Sequence, residues 1–355
     1  MKEKKGGNRV ILAAFILFLC LLWPLWFLLR QHMDTANHEK RKLAALPSLS
    51  VSGWSQFPKE FDRYFNDHIP FRNELVTLNN SIDYYVFQSP SDRRVLIGRD
   101  NWLFFSDKGD GDPVACYQGT NLLSEEELAA LAENCLRQQE YLASLGKEFV
   151  IFIAPNKERI YSEYMPWEYG RPAEQSRVRQ IVDYLREHTS IRVVYPYEEL
   201  MRAKETLAES IYYKTDTHWN PLGACVGSRA LLLELGIPFP DLTARELSVT
   251  DLGHYTGDLA DMLGMSNLLD TVDRDYAVEG YTLPETEKAD PRKFLMIVDS
   301  FGIGPIPYLQ SQFTNSDFIT WQDYTTDFLP AFNPDVVVYE VVERLADRLA
   351  AFSLY

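Results

Sequence analysis

Short, mainly apolar runs separated by helical patterns constrain the fold of this chain more than any other feature. Three of these runs are "EFVIFIAP" (148–155), "KFLMIVDS" (293–300) and "DVVVYEVV" (335–342). An unbroken apolar strand is typical of a parallel sheet that helices cover on both faces. Further strands are predicted at 191–197 and 316–321, and helices at 124–146, 173–188, 220–236 and after 342. The pattern predicts a three-layer α/β domain with a mainly parallel sheet.

Residues 57–120 precede this pattern and are predicted to form a segment that packs on the main domain. Aromatic residues from Phe57 to Phe65 recur at helical spacing, Pro70 interrupts them, and a second amphipathic helix follows. The stretch "RRVLIGRDNWLFF" (93–105) predicts two short strands around a turn. The main domain is then expected to cover 121–355, with a loop-rich stretch at 237–290.

The run from Val10 to Leu29 has no charged residue over 20 positions. At about 1.5 Å per residue this is long enough to cross a hydrocarbon core of roughly 30 Å. Lysines before it, with no small-residue cleavage site after it, favour an uncleaved anchor over a cleaved signal peptide. We therefore expect residues 1–30 to form a cytoplasmic tip and transmembrane helix, and 31–56 to form a stalk. The catalytic domain would lie outside the cytoplasm.

Charge and cysteine content exclude two classes of function. The formal net charge is -16, so a nucleic-acid backbone would be repelled. The cysteines Cys20, Cys116, Cys135 and Cys225 match no zinc pattern. A disulfide between Cys116 and Cys135 is an alternative, but buried free thiols are favoured. The acidic loop "SDKGDGDP" (106–113) lacks the terminal glutamate of a calcium loop, so a solvated loop is favoured there.

Two polar segments at predicted strand ends carry the candidate chemistry. Asp216 and His218 are two positions apart, so in an extended segment the carboxylate can orient the imidazole. Ser300 follows the apolar strand Phe294 to Val298 and precedes a glycine-rich turn, where free backbone N–H groups favour an oxyanion hole. Each segment alone is more typical of a cap or turn. Together they match a serine, its general base and an orienting acid.

The blocks "DTHWNPLGA" (216–224) and "VDSFG" (298–302) resemble the signature blocks of SGNH hydrolase-like proteins of the alginate O-acetyltransferase type, the AlgJ and AlgX group. The similarity extends through "NDHIPFR" (66–72), "VLIGRDNWLFF" (95–105), "FIAPNKERIYSEYMP" (152–166) and "PDVVVYEVVER" (334–344). Ordinary SGNH enzymes have the serine block first, whereas here it comes last. The resemblance therefore implies a circularly permuted SGNH hydrolase-like fold.

By this resemblance Ser300 is the nucleophile, His218 the general base and Asp216 its orienting acid. Val298 departs from the family, which often has glycine there. The Gly-x-Asn-Asp block that supplies an oxyanion donor is also absent, and its place falls near Glu340 to Arg344. Three residues are candidate second donors: Asn156, Lys157 and Arg344.

Two further residues keep alternative interpretations. Glu340 and Arg344, four positions apart, are interpreted as a structural ion pair rather than as site residues. Trp219, next to the predicted base, has an aromatic face suited to a sugar ring. It is equally suited to anchoring the core. Trp219 therefore remains a candidate substrate-binding residue.

The resemblance implies an extracytoplasmic O-acetyltransferase that acetylates a cell-surface or secreted polysaccharide through an acetyl-serine. It also implies a membrane-bound O-acyltransferase as the acetyl donor. No motif for CoA or a nucleotide occurs in the sequence, so no cofactor and no resident metal are expected. The alternatives are an esterase that removes acetyl groups and a catalytically silent polysaccharide-binding scaffold.

Overall fold

The computed structural model describes residues 4–32, 42–48, 55–244, 248–284, 288 and 290–355. Parts of the predicted stalk, 33–41 and 49–54, lie outside the described residues. The chain divides into two compact units: Met1–Ser91 with Asp261–Met265, and Asp92–Ala260 with Ser266–Tyr355. The boundary at Ser91 differs from the predicted one at residue 120, because the first hairpin belongs to the second unit.

The first unit is helical. It contains α1 (Lys4–Leu29), α2 (Phe57–His68) and α3 (Arg72–Ile82), which a π-helical turn extends to Phe87. Residues Ile11–Leu29 of α1 are long and apolar enough to cross a membrane, by length and composition. Asn80 is buried and donates through Nδ2 to the carbonyl of Leu263, 2.6 Å away. The two predicted helices after residue 56 are confirmed.

The second unit contains all the strands of the described residues. From Asp92 onward the elements are β1 (Val95–Ile97), β2 (Leu103–Phe105), α4 (Pro113–Gln118), α5 (Glu125–Ser144), β3 (Glu148–Ala154), α6 (Lys157–Ile160), α7 (Arg177–His188), β4 (Arg192–Val194), α8 (Tyr197–Thr206), α9 (Pro221–Glu234), β5 (Val249–Tyr255), α10 (Asp258–Met262), α11 (Ser266–Leu269), β6 (Asp273–Val278), β7 (Asp290–Val298), α12 (Ile306–Gln310), β8 (Phe313–Thr320), α13 (Phe328–Phe332) and β9 (Val336–Val342). Short 3-10 helices cover Ser162–Tyr164, Trp167–Tyr169, Leu242–Ala244, Ser300–Ile303 and Glu343–Ala350.

A five-stranded parallel sheet in the order β4-β3-β9-β7-β8 forms the core of this unit. Every residue of β9 is buried, including Glu340, which interrupts its apolar run. Phe149 of β3 contacts Phe352, whereas Phe152 contacts Trp219 ahead of α9. Positions three apart on a strand face opposite sides, so side chains cover the sheet on both faces. The predicted three-layer α/β fold with a parallel sheet is confirmed.

Start signals place several elements as predicted. Ser124 accepts the N–H of Glu127 and Glu127 accepts that of Ser124, which completes the capping box of α5. The side chain of Asn220 accepts the N–H groups of Leu222 and Gly223 at the start of α9. The turn of the β1–β2 hairpin places Asp100 at positive φ, a conformation that aspartate tolerates.

Three predictions differ from the structure. The strand predicted at 191–197 ends at Val194, because Pro196 caps α8 and Tyr197 begins it. The helix predicted at 173–188 begins at Arg177, where Ser176 supplies the cap. The stretch 237–290 contains a two-stranded antiparallel sheet, β5–β6, that no apolar alternation indicated. Both strands carry polar residues on half-exposed faces, so they lack the pattern of a core strand.

Candidate active site

The segment Asp216-Thr217-His218 lies in an irregular loop, not in the strand end that the sequence predicted. A bridge between Tyr212 and Trp219 closes this loop. Carboxylates, rather than a neighbouring strand, accept its backbone N–H groups. Asp273 accepts those of Lys214 and Thr215 at 2.7 Å, and Asp258 accepts that of Thr217 at 2.8 Å. These bonds replace a β-ladder and hold the loop in place.

Asp216, His218 and Ser300 meet at the open end of this loop. The Nδ1 atom of His218 lies 2.6 Å from Oδ1 of Asp216, and its Nε2 atom lies 2.8 Å from Oγ of Ser300. The Asp216 side chain is buried and Ser300 is exposed. A buried acid, an imidazole and an exposed hydroxyl in this order form the geometry of a serine nucleophile with its base.

The Asp216 carboxylate is held by several donors. It accepts the backbone N–H groups of His218 and Asp258 and the hydroxyl of Tyr255, each at 2.9 Å. Burial raises the pKa of Asp216, but its hydrogen bond with His218, the charge of His218 and these N–H groups outweigh burial and lower the pKa to about 2. Asp216 is therefore ionised throughout the neutral range.

The imidazole of His218 is subject to opposing influences. Burial lowers the pKa of His218, whereas its hydrogen bond with Asp216 and the negative charges of Asp216 and Asp258 raise it. The net result is a pKa above the ordinary value of histidine. A raised pKa strengthens the imidazole as a proton acceptor, which suits a general base.

Two residues of the site, Asp258 and Tyr255, were missed by the sequence analysis. Asp258 Oδ2 accepts the hydroxyl of Thr217 at 2.7 Å and lies 3.9 Å from Nδ1 of His218. Burial, followed by the charge of Asp216, raises the pKa of Asp258. The chain passes the loop closely here, since a Cβ on Gly257 would lie 2.1 Å from the carbonyl oxygen of Thr215. This glycine was the only local signal of the approach.

Asp216, His218 and Asp258 also lie close enough to be considered as a metal centre, with ligand atoms within 4.8 Å of one another. Protein hydrogen bonds already use these atoms. Both oxygens of Asp216 and both oxygens of Asp258 accept N–H or O–H groups. The arrangement fits an oriented base better than a cation site.

Ser300 begins a 3-10 helix directly after β7. The preceding Asp299 accepts the N–H of Phe301 through Oδ1 at 2.8 Å and that of Val342 through Oδ2 at 2.7 Å. Its own N–H donates to Oε2 of Glu340 at 2.8 Å. The backbone N–H of Ser300 has no acceptor within the described part of the chain. That group is available to an oxyanion beside the hydroxyl.

Glu340 lies on β9 beneath this turn. Burial, followed by the charge of Asp299, raises the pKa of Glu340 well above its ordinary value. A Cβ on Gly302 would lie 2.8 Å from Glu340 Oε2, so only glycine lets the turn pack on this carboxyl. The predicted ion pair between Glu340 and Arg344 is wrong. The strand ends at Val342, and Arg344 pairs instead with Asp110, 3.2 Å away.

The candidate oxyanion donors Asn156 and Lys157 are buried beneath the loop. The Nζ atom of Lys157 donates to the carbonyls of Tyr213 and Lys214 at 3.2 Å and to that of Asp216. The backbone N–H of Asn156 donates to Glu343 Oε2 at 2.9 Å. Lys157 therefore supports the loop instead of facing a substrate. The third candidate, Arg344, lies 5.6 Å from the ring of Phe301, next to Ser300.

Trp219 is a core residue. Only 3% of it is exposed, its Nε1 atom donates to the carbonyl of Phe301 at 3.0 Å, and its ring contacts those of Phe152 and Tyr212. A ring enclosed in this way has no face for a sugar. Of the two interpretations of Trp219, the structure supports packing, and it joins the base loop to the nucleophile turn.

The acidic loop at 106–113 uses its carboxylates internally. Asp107 accepts the N–H of Gly109, Asp112 caps α4, and Asp110 pairs with Arg344. Cys116, Cys135 and Cys225 are buried free thiols, as predicted.

A groove of about 600 Å³ opens beside Ser300 and His218. Its wall combines Tyr213 and Tyr255, whose rings stack 3.9 Å apart, with Tyr276 and Tyr308. Asp275 on β6 also lines it and accepts the hydroxyl of Tyr213 at 2.6 Å. The β5–β6 sheet therefore supplies one wall of the groove, which the sequence analysis treated as loop.

Comparison with protein families shows which family this chain belongs to. The model of the family described as "SGNH hydrolase-like domain, acetyltransferase AlgX" matches residues 95–296, more than half of the chain. The chain belongs to this family. The matched residues include Asp216 and His218 and end shortly before Ser300.

Relatives of known name agree with the family. "Probable alginate O-acetylase AlgJ" of Pseudomonas putida is 28% identical over 225 residues, which cover 61% of this chain and 54% of that protein. The protein of the same name from Pseudomonas aeruginosa is 27% identical over 218 residues, which cover 59% and 51%. The chain thus spans about half the length of the curated relatives it matches.

A solved structure shares the fold. The structure of Bacillus cereus PatB1 with a sulfonyl adduct aligns with a TM-score of 0.50 and 13% identity, covering 73% of this chain and 97% of PatB1. At this identity the likeness concerns the fold alone.

Proposed function

We propose that this protein is an SGNH-type O-acetyltransferase that transfers acetyl groups to a polysaccharide. The observation that carries the proposal is the alignment of Ser300 Oγ, His218 and the buried Asp216, with distances of 2.8 and 2.6 Å. Family membership supports the same conclusion, since the matching family is described as acetyltransferase and the relatives are named O-acetylases.

The geometry supports a two-step transfer. Oγ of Ser300 attacks the carbonyl carbon of an acetyl donor while Nε2 of His218 takes the serine proton. The tetrahedral intermediate then expels the donor's leaving group, which receives that proton, and an acetyl-serine remains. A sugar hydroxyl attacks the acetyl-serine carbonyl and gives its proton to His218. Ser300 leaves, recovers the proton, and the acetylated sugar departs.

The oxyanion of each intermediate needs donors close to Ser300. The free N–H of Ser300 is one donor, and its position on the turn is fixed by the bonds of Asp299. We propose the Arg344 guanidinium as the source of positive charge near the second position, because it packs against Phe301 and its charge acts on His218. Preorganised donors of this kind usually contribute the largest single part of catalysis.

We propose an acetyl donor from the family resemblance and a location from the N-terminal helix. A span in α1 would hold the protein at the membrane, with its N-terminus in the cytoplasm and the catalytic unit outside. A membrane-bound O-acyltransferase would present the acetyl group there. The relatives' names support a polysaccharide as the acceptor.

An esterase is the second candidate, and one observation favours it: Ser300 is exposed beside an open groove that water enters. Water and a sugar hydroxyl compete for the same acetyl-serine. The products separate the two activities, because an esterase releases acetate whether or not a sugar acceptor is present.

The test uses a soluble acetyl ester and the variants Ser300→Ala and Ser144→Ala. Loss of the nucleophile is expected to reduce turnover by at least about 10⁴-fold. Ser144 is an exposed serine on α5, so its variant should match the wild type. Mass spectrometry of the acid-quenched protein should find acetyl on Ser300. Unchanged turnover in Ser300→Ala would show that the nucleophile is assigned wrongly.

A further inference from the structure

The charges around the groove bear on which polysaccharide it accepts. Its lining, within the described residues, contains neither lysine nor arginine, and Asp275 is its carboxylate. Asp216 lies directly behind the wall, bonded to the hydroxyl of Tyr255 at 2.9 Å, and the side chain of Asp258 is 41% exposed. The positive charge of Arg344 is ion-paired with Asp110, and 10% of its side chain is exposed. The wall of the groove is therefore electronegative.

The tyrosines report the same potential. Burial, and then the charges of Asp216, Asp258 and Asp275, raise the pKa of Tyr255 above its ordinary value. Burial, followed by its bond to Asp275, raises that of Tyr213. A second negative charge brought to this wall would meet the same repulsion, since neither lysine nor arginine of the described residues lines the groove.

The other end of the groove disfavours a cation. His218 lies there, and in the proposed transfer its Nε2 atom takes the proton of the attacking hydroxyl, which makes the ring an imidazolium. An ammonium group beside Ser300 would meet this imidazolium. Asp275 is also partly satisfied, because its Oδ1 accepts both the Tyr213 hydroxyl and the N–H of Tyr276. Sugar hydroxyls, which donate to carboxylates and accept from imidazolium, suit both ends.

We propose that the acceptor is an uncharged polysaccharide and that Asp275 excludes uronate polymers. The inference rests on the proposed transferase activity and adds the chemical class of its acceptor. The partly exposed rings of Tyr255 and Tyr276 supply apolar surface for pyranose faces, and the Asp275 carboxylate accepts hydroxyl groups. Alginate is a uronate polymer, so this acceptor differs from the one that the relatives are named for.

The test compares tetrasaccharides as acceptors with one soluble acetyl ester as donor. The uncharged set contains glucose, galactose and mannose tetramers, and the charged set contains mannuronate and glucosamine tetramers. Mass spectrometry measures the rate at which each tetramer gains acetyl. We expect the best uncharged tetramer to exceed the mannuronate tetramer at least about tenfold at low salt. The ratio should shrink at high salt, because salt screens the repulsion.

Two variants with equal changes in net charge test the role of Asp275. Asp275→Asn keeps an oxygen for the Tyr213 hydroxyl and should narrow the ratio between uncharged and uronate acceptors. Glu279→Gln removes an exposed charge directly after β6, outside the groove, where its partners are the hydroxyls of Ser248 and Thr250, and it should leave the ratio unchanged. Equal narrowing in both variants would show that net charge, not Asp275, sets the selectivity, and would overturn that part of the proposal.

The outcome is separable from the proposed function. Acetyl-enzyme formation on Ser300 is measured without any acceptor, so its absence speaks against the catalytic assignment alone. If the acetyl-enzyme forms and the mannuronate or glucosamine tetramer is acetylated as fast as the uncharged set, the acceptor class is wrong. Transfer to none of the uncharged tetramers also overturns it.

Discussion

At the scale of single residues, the proton affinity of His218 should set the pH range of the proposed reaction. The base must be neutral to take the serine proton, and its pKa is raised above the ordinary value of 6.5. Turnover of an acetyl ester should therefore rise with pH, with a midpoint above about 6.5. A pH–rate profile of kcat/KM measures this midpoint, and a midpoint below that of free histidine would contradict the assignment of Asp216 as its partner.

The variant Asp216→Asn tests the origin of that shift. Asparagine keeps an acceptor for Nδ1 but removes the charge that stabilises the imidazolium. The midpoint of the pH–rate profile should then move down, and the plateau should fall on the order of 10⁴-fold.

The lowered pKa of Asp216 also predicts how the stability of the protein depends on pH. The folded pKa of Asp216 is lowered to about 2, so its contribution to stability is present in the wild type above its unfolded pKa. That contribution is lost as the pH falls toward 2. Acid unfolding of the wild type and of Asp216→Asn measures the difference in stability between them.

Substitutions of Glu340 test whether its bond to Asp299 positions Ser300. Burial and the charge of Asp299 raise the pKa of Glu340, so we interpret Glu340 as a protonated, neutral carboxyl. Glutamine is its uncharged analogue of similar shape. Glu340→Gln should retain most of kcat, whereas Glu340→Leu leaves the N–H of Asp299 without its acceptor. A misplaced Ser300 should lower kcat of the Leu variant about 10²-fold with little change in KM. Equal losses in both variants would show that Glu340 acts as a carboxylate.

At the scale of elements, the loop between Tyr212 and Trp219 depends on Lys157, the first residue of α6. Its ammonium binds three carbonyls of the loop. Burial lowers the pKa of Lys157, although nearby carboxylates oppose this. Lys157→Met leaves the carbonyls of Tyr213 and Asp216 without this donor, and each costs about 1–3 kcal/mol when left unpaired. The carbonyl of Lys214 still accepts the N–H of Leu103.

We expect that variant to lose on the order of 3 kcal/mol in the free energy of unfolding and to lose activity as well. Chemical denaturation and ester turnover measure the two effects. Lys108→Met, at an exposed position, is the matched control and should change stability by less than about 0.5 kcal/mol. If Lys157→Met were as stable and as active as this control, the conformation of the loop would not depend on Lys157.

The predictability of each element followed its hydrophobic pattern. β3, β7 and β9 were predictable because each contains a run of mainly apolar residues. Ser300 and His218 were predictable because they occupy short sequence motifs. Tyr255 and Asp258 were not, since they bind Asp216 from 39 and 42 positions away within a polar stretch. Residue type alone also does not predict whether a side chain is buried. Trp219 and Lys157 could line a groove or lie in the core, and the packing of elements distant in the chain determines which.

At the scale of the whole molecule, the buried thiols report on the integrity of the second unit. Burial raises the pKa of Cys116 to about 11 and that of Cys135 to about 12, and it also raises that of Cys225. These thiols come from α4, α5 and α9. Thiolate is the reactive form, so a thiol reagent should label none of the three in the native protein.

With increasing denaturant we expect all three to become reactive in one transition, because Cys135 and Cys225 belong to one hydrophobic core and Cys116 is buried next in the chain to Tyr117, a member of that core. Mass spectrometry of labelled peptides follows each thiol separately. Labelling of Cys116 under native conditions, or in a transition earlier than that of Cys225, would show that the unit opens in parts.

The order of the strands has a consequence for synthesis. The middle strand of the sheet, β9, joins β3 to β7, yet it follows every other strand in the chain. A ribosome therefore completes the acid, the base and the nucleophile before it makes the strand that brings their supports together. Until then β3 and β7 each present an open edge, and Glu340, which holds the turn of Ser300, does not yet exist. If the proposed function is right, a chain interrupted before β9 is therefore expected to be inactive.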